Sequence, residues 1–415
     1  MNKRRILASL MVSLAVIMAI SPACAREQVA APPKYVNPAG DRFPVVAYHA
    51  FNDTNLITLK NYRYVKDAGF TIALSNLYPE KHIKQMLDYC EAYDLKLIAN
   101  CWGIQDQAKI KKETEKYKGY KAFGGILVFD EPKADKFSMI SKLNKGVLSA
   151  SSDILAYVNL LPNFATAEQL GAKDYKQYLE SFVEKVNPQF ISYDNYCIYE
   201  KDGELLLRKN FFENLEIARE VSEKRGIPFW TFVMSTAHLN YPSPDEGQIS
   251  FQVFGSLAYG SQGIQYYGYA PWAGVEDRLF DAPMLLNGKR TNVWKSCKKI
   301  NRQIHALTWV FLGAKVKNVW HTGGSIPQGT RRIDASELPE QIKSIQSWGE
   351  GVVVSHFTNG DKNFLMIVNR DFRQKQKVTV SKDAGVKRVK SNGKVSKDNS
   401  KNITLTPGGY YLYTW

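Results

Sequence analysis

The sequence predicts a (β/α)8 barrel followed by a small all-β sandwich. Three observations carry that expectation. Eight near-continuous apolar runs alternate with eight helical segments between about residues 43 and 311. Parallel strands buried on both faces have this pattern. No glycine-rich phosphate loop follows the first run, which argues against a doubly wound sheet. Beyond about residue 315 the period shortens to alternating strands with turn residues between them, the mark of a sandwich.

The elements follow in order. "FPVVAYHAF" (43–51) is the first strand, with a helical segment to about Ala68. "FTIALSN" (70–76) is the second, and 80–93 is helical. "LKLIANCW" (95–102) is the third, with a Lys-rich helix after it. "GGILVFDEP" (124–132) is the fourth, before a helix over 134–147. "DILAYVNLLP" (153–162) is the fifth, before a helix over 173–185. "QFISYDNY" (189–196) is the sixth, and the helix over 207–225 ends at Gly226. "IPFWTFVMS" (227–235) is the seventh, and a helix over about 245–259 stops at Gly260. "GIQYYGYAPW" (263–272) is the eighth, and 290–311 is the last helix. The barrel then spans 43–314. Strands such as "GVVVSHFTNG", "NFLMIVNRD" and "ITLTPGGYYLYTW" give the sandwich over 315–415.

The N-terminus reads as an export signal over 1–25: Lys3, Arg4 and Arg5, then an apolar stretch, then "SPACA". Ala23-Cys24-Ala25 fits a cleavage site. Cys24 also stands where a bacterial lipoprotein carries its lipid. The expected locations are periplasm, cell surface or medium. Residues 26–42 read as a tether.

The 415 residues carry a formal net charge of +15. That sign suits an acidic polysaccharide or an anionic membrane. The cations are scattered, however, with no basic motif interleaved with aromatics, so nucleic acid is not an expected partner. Cys90, Cys101, Cys197 and Cys297 are too widely spaced for a zinc site or a dense disulfide framework. They read as buried thiols. No metal or organic cofactor is implied.

In such a barrel the chemistry sits at the C-terminal ends of the strands. Tyr48 and His49 end the first strand, Asn100 and Trp102 the third, and Asp130 and Glu131 the fourth. The fifth offers Asn159. Tyr193, Asp194, Asn195 and Tyr196 end the sixth, with Ser235 and His238 after the seventh and Tyr267 and Trp272 after the eighth. Aromatic faces stack on sugar rings, and amides and acids bond hydroxyls. The set suits a carbohydrate cleft lined by Tyr48, His49, Trp102, Tyr193, Asn195, Tyr267 and Trp272.

An acid at the end of a buried strand is partly desolvated, and a neighbouring acid disfavours double ionisation. Both effects raise a carboxyl pKa, as a general acid near neutral pH requires. Glu131 is the expected acid and Asp194 the second carboxylate. Strand alternation predicts that Asp130 and Glu131 face opposite ways. Asp130 would tune Glu131 or bind a hydroxyl. The competing structural role is a helix cap before "PKADKFSMI". Glu246 reads as a first-turn acid. Glu276, Asp277 and Asp281 follow the eighth strand.

"GGILVFDEP" resembles the fourth-strand motif of retaining clan A glycoside hydrolases, usually Asn-Glu-Pro, with Asp here in place of Asn. "ISFQVFGSLAYGSQGIQYYGY" resembles the helix and eighth strand of secreted Bacteroidetes-like glycosidases and β-galactosidase-like proteins. "NFLMIVNRD…ITLTPGGYYLYTW" is similar to their C-terminal β-sandwich. The resemblance implies cleavage of an oligo- or polysaccharide, with Glu131 as acid/base. It also implies a nucleophilic Glu ending the seventh strand, and "FWTFVMSTAH" has none. Three alternatives follow: a strand count that is off, a nucleophile from Asp194 or a neighbouring loop, or a glycan-binding protein without catalysis. An adjacent Asp-Glu pair is also similar to substrate-assisted N-acetylhexosaminidases, and "ISYDNY" to the Tyr-Asp of chitinase-type barrels, although Phe129 stands where a further Asp is expected.

Overall fold

The computed structural model describes residues 30–272, 274 and 279–415. The export signal, Cys24, Glu276 and Asp277 lie outside the described residues.

Eight parallel strands close a barrel: β1 (Val45–Ala47), β2 (Ile72–Leu74), β3 (Lys96–Asn100), β4 (Phe123–Asp130), β5 (Leu155–Leu160), β6 (Ile191–Tyr193), β9 (Phe229–Met234) and β11 (Ile264–Tyr267). Their order around the barrel follows the chain, and β11 closes on β1. Between them run α1 (Leu59–Asp67), α2 (Glu80–Ala92), α3 (Gln107–Glu115), α4 (Phe137–Ala150), the short α5 (Ala167–Leu170), α6 (Tyr175–Lys185), α7 (Phe211–Arg225) and α8 (Glu246–Ala258). The last helical region is broken into α9 (Asn292–Ala306) and α10 (Thr308–Phe311).

Two features were not foreseen. β7 (Ile198–Lys201) and β8 (Glu204–Leu207) form a hairpin after β6. Its turn is Asp202-Gly203, both with positive φ, a standard two-residue hairpin signal. β10 (Ala237–His238) pairs with β12 (Leu279–Phe280) above β9 and β11.

The strands are apolar on both faces because one faces the lumen and the other the helices. Along β5 and β6, Leu155, Tyr157, Phe190 and Trp230 of β9 share the lumen with Val46, Ile98 and Leu127. Ala156, Val158, Ile191 and Tyr193 pack outward among the helices. Tyr35, from the segment before β1, packs against Phe190 and Trp230 at ring separations of 6.1 and 6.4 Å. The glutamine side chain of Gln189 bonds the Lys34 carbonyl at 3.0 Å. Together they plug the N-terminal end. Gly263 leaves room for this plug, since a Cβ there would lie 2.5 Å from the Trp230 ring.

Nine antiparallel strands follow: β13 (Lys315–His321), β14 (Ile342–Ser347), β15 (Val352–Asn359), β16 (Lys362–Asn369), β17 (Gln376–Lys382), β18 (Lys387–Val389), β19 (Val395–Lys397), β20 (Asn402–Leu405) and β21 (Tyr410–Thr414). They make a six-stranded and a three-stranded sheet. On β16, Leu365 and Ile367 face the three-stranded sheet, while Phe364, Met366 and Val368 join the core that runs on into the barrel's helices. The period-two alternation thus serves two cores. Cys90, Cys101, Cys197 and Cys297 are buried free thiols.

Candidate functional site

A cavity of about 410 Å³ opens at the C-terminal end of the barrel. Its lining includes Tyr48 of β1's end, Asp130 and Glu131, Asn159, Asp194, Tyr196, Phe232 and Tyr267, with Phe164 and Tyr241 from loops, Gln169 from α5 and His238 from β10. That size falls within the usual range for small-molecule sites.

Both Asp130 and Glu131 face this cavity, against the expectation of opposite faces. The reason is backbone geometry. Leu127 pairs with Tyr157, but Phe129 pairs with Val158 and Asp130 with Asn159, so the register shifts by one residue. This bulge reverses the alternation. Without it Phe129 would point into the lumen and Asp130 away from it. Glu131 then takes a left-handed φ of 48°. Its amide donates to the Asn159 carbonyl at 2.8 Å. Neither acid caps a helix: the following short helix, Ala134–Lys136, has Lys133 at its N-cap position and no side-chain cap.

The floor of the site is a chain of neutral hydrogen bonds. The Tyr157 hydroxyl donates to Gln265 Oε1 at 2.7 Å. Ser192 Oγ bonds Tyr157 at 3.1 Å and Asn159 Oδ1 at 3.0 Å, and Gln265 Nε2 donates to Ser192 at 2.9 Å. With its oxygen so held, Asn159 turns its amide up. Nδ2 donates to Asp130 at 3.0 Å and to Asp194 at 3.3 Å. Glu131 and Asp194 both line the cavity, close enough for each to act on the other's charge.

Burial raises the pKa of all three acids. For Asp130, burial opposes the bond from Asn159. For Glu131, burial acts first and the Asp130 charge second, against the bond from Asp194. Asp194 is pushed well above the ordinary Asp range by burial, then by the charges of Glu131 and Asp130. Three such groups cannot all ionise together. The cluster therefore holds a proton where an ordinary carboxylate would have lost it. Tyr267 is raised to about 12 by burial and then by the three carboxylates, so its hydroxyl remains a donor.

Of the residues expected in the cleft, Tyr48 and Tyr267 line it. Tyr193 does not. As an odd member of β6 it faces the helices and packs on Tyr175. Asn195 is also turned away: its amide bonds Asn163 at 3.2 Å and Asn214 at 2.9 Å, tying the loop to α7. His49 stands behind the lining against Tyr267 and Trp272, at 6.2 and 5.5 Å. Burial lowers its pKa to about 4, so it is neutral near pH 7. Trp272 stands beyond His49. Trp102 is half exposed over Phe129 and outside the lining. Glu246 is the first-turn acid expected, in α8, and pairs with Lys299. Asp281 bonds Ser243 in a loop.

Sequence reasoning passed over Asn159 as a hub. Counting alternate residues back from Asp194 to Ser192, and along 155, 157 and 159, would have found it. Tyr196 and His238 stood among the strand-end residues without being assigned to the cleft, and Phe164 and Tyr241 gave no such signal, because loops carry them. β9 ends in Met234 and Ser235, and no acid of that strand reaches the cavity. Among the described residues no group of three or more His, Cys, Asp or Glu side chains is arranged to hold a metal ion.

No family model matches this sequence. No curated protein matches it either. Solved structures do. A β-galactosidase of glycoside hydrolase family 42 from G. stearothermophilus matches with TM-score 0.65 at 8% identity, over 92% of this chain and 99% of that one. A β-galactosidase from Bacillus circulans sp. alkalophilus matches with TM-score 0.59 at 9% identity, over 90% and 99%. A family 5 glycoside hydrolase from Bacteroides vulgatus ATCC 8482 matches with TM-score 0.57 at 12% identity, over 93% and 92%. At these identities the likeness is one of fold.

Proposed function

We propose that this chain is a glycoside hydrolase acting on an oligo- or polysaccharide. One observation carries the reading: three acids with raised pKa values, the buried Asp194, the half-buried Asp130 and the more exposed Glu131, line one aromatic-walled cavity at the mouth of the barrel. The fold shared with the glycosidases above supports it.

Glu131 is the general acid. Its proton passes to the glycosidic oxygen as the bond to the anomeric carbon breaks, and water finally adds at that carbon. Burial and the Asp130 charge raise the pKa of Glu131, which favours its protonated form. Asp194, beside Glu131 in the cavity, acts on that proton through its charge. Asn159 holds Asp130 and Asp194 in place. Tyr48, Tyr196, Phe232 and Tyr267 provide stacking surface and hydroxyls for the sugar.

A second mechanism is favoured by the lack of an acid on β9. An acid and a separate carboxylate nucleophile stand about 5–5.5 Å apart in retaining enzymes, and about 6.5–9.5 Å separates the pair in inverting ones. No acid of β9 lines the cavity, so that strand places no carboxylate nucleophile opposite Glu131. An N-acetylhexosaminide brings its own nucleophile in the acetamido oxygen, and Asp194 or Asp130 would orient it.

The test is sugar release by the purified protein from galactosides, glucosides, mannosides, N-acetylhexosaminides and polysaccharides, with E131Q alongside. Cleavage by the parent and not by E131Q supports the reading. Glycan binding equal in both, with no cleavage by either, would leave a binding protein on a barrel scaffold. The reading also makes the protein exported, released after Ala25 or held by a lipid on Cys24. The mass of the N-terminal peptide from cells distinguishes these.

A further inference from the structure

One cation stands against the cavity wall from outside. Arg208 follows β8 and precedes α7. Its guanidinium carbon lies 4.0 Å from the centre of the Phe164 ring, 4.9 Å from that of Tyr199 and 6.0 Å from that of Tyr241. Nε donates to the Tyr196 carbonyl at 3.1 Å, and an Nη donates to the Tyr241 hydroxyl at 3.1 Å. Phe164 comes from the loop after β5, Tyr196 from the chain after β6, and Tyr241 from the loop after β10. One side chain thus ties together three separate segments.

Phe164, Tyr196 and Tyr241 line the cavity, and Arg208 is not among the lining residues. The wall continues inward. Tyr196 packs on Tyr241 at 5.6 Å and on Tyr267 at 5.4 Å, and Tyr267 closes on the carboxyl cluster. The segment has further supports behind it: Glu200 N–H donates to the Asn240 carbonyl at 2.7 Å, joining the β7–β8 hairpin to the loop after β10, and Arg373 reaches the Leu205 carbonyl from the C-terminal region at 3.3 Å. Phe164, by contrast, is 38% exposed on its loop, and the guanidinium covers its ring. A planar cation can stack on a ring while its edge nitrogens donate in fixed directions, and an ammonium cannot do both.

We infer that Arg208 is a positioning residue. It fixes Phe164, Tyr196 and Tyr241 as a stacking wall for a sugar unit lying against the loops after β5, β6 and β9, and so sets the affinity for that unit without touching it. The inference rests on the carbohydrate reading above.

The test separates the two. Lactose, cellobiose, mannobiose and N,N′-diacetylchitobiose are titrated by calorimetry into the full chain carrying E131Q, alone and with R208Q, R208K or F164A. For the disaccharide that binds, R208Q raises Kd about 10-fold, R208K recovers part of the loss, and the R208Q and F164A losses are not additive. In the catalytically intact protein R208Q raises KM by a similar factor while kcat falls less than about 3-fold and Tm holds. If R208Q binds like its parent, or if kcat and Tm fall together with KM unchanged, Arg208 has a structural role only and the inference is overturned while the carbohydrate reading stands. If the parent binds neither these four sugars nor the polysaccharides of the release assay, both fall.

Discussion

At the N-terminal end of the barrel, Phe190 and Trp230 point into the lumen and Tyr35 covers them. At the C-terminal end the same part of the sheet presents Asn159, Asp194 and Phe232 around two more acids. The apolar end is filled, and ring packs on ring. The polar end is hollow, and its carboxyls are held at raised pKa by burial and mutual repulsion. Non-glycine residues with left-handed φ also gather near it: His49, Glu131 and Leu239. The difference teaches where stability is made and where it is given up. Close packing at one end supports an arrangement at the other that would not hold by itself.

The sharpest way to separate the ends is E131Q. We expect kcat/KM to fall about 10²- to 10⁴-fold, the usual worth of a general acid, without loss of Tm. A large loss of Tm would mean that Glu131 holds the fold together, as the other end does. The matching change at the apolar end is Trp230→Ala. It should cost about 3–5 kcal/mol, as for other large aromatic truncations in cores, read from urea unfolding. The folded fraction should retain its kcat. Activity lost well before unfolding would show that the plug tunes the site directly.

A subtler test turns on charge. A folded-state pKa above the unfolded value destabilises the fold as pH rises from the ordinary Asp range, about 3.9, towards the raised value, and by a constant amount beyond it. Asp194→Asn removes that cost. Its stability should exceed that of the parent by about 0.5–2 kcal/mol at pH 7, and the advantage should vanish towards pH 3. A variant less stable than its parent at pH 7 would mean that the Asn159 bond outweighs burial and repulsion. The smallest effect is expected from Trp102→Ala. Trp102 is half exposed outside the cavity, so KM should change less than about 3-fold. A larger rise would extend the cleft across β3.

Much of this was legible in the residues. The apolar runs gave the strands because parallel strands are buried on both faces, and the acids after "GILVF" stood at the functional end. The pairs Tyr48 with Tyr267 and Glu131 with Asp194 were found by listing strand ends. Tyr193 and Asn195 were misplaced because a strand end was treated as a point, when its alternate residues face opposite ways. The β7–β8 hairpin was passed over although Asp202-Gly203 announced it.

The sequence by itself determined the barrel, the sandwich and which strands carry acids, since these follow from periodicity and composition, which are local. The tertiary structure decided which way the acids point. One extra residue near Val128 reverses the alternation and turns Asp130 inward, and a bulge of that kind depends on the register with β5. It also decided that Glu131 meets Asp194, that Asn159 bridges two carboxyls, and that Arg208 gathers three aromatic residues from three segments. These contacts join parts of the chain far apart in sequence. Their energies depend on distance and burial, which exist only once the barrel has closed.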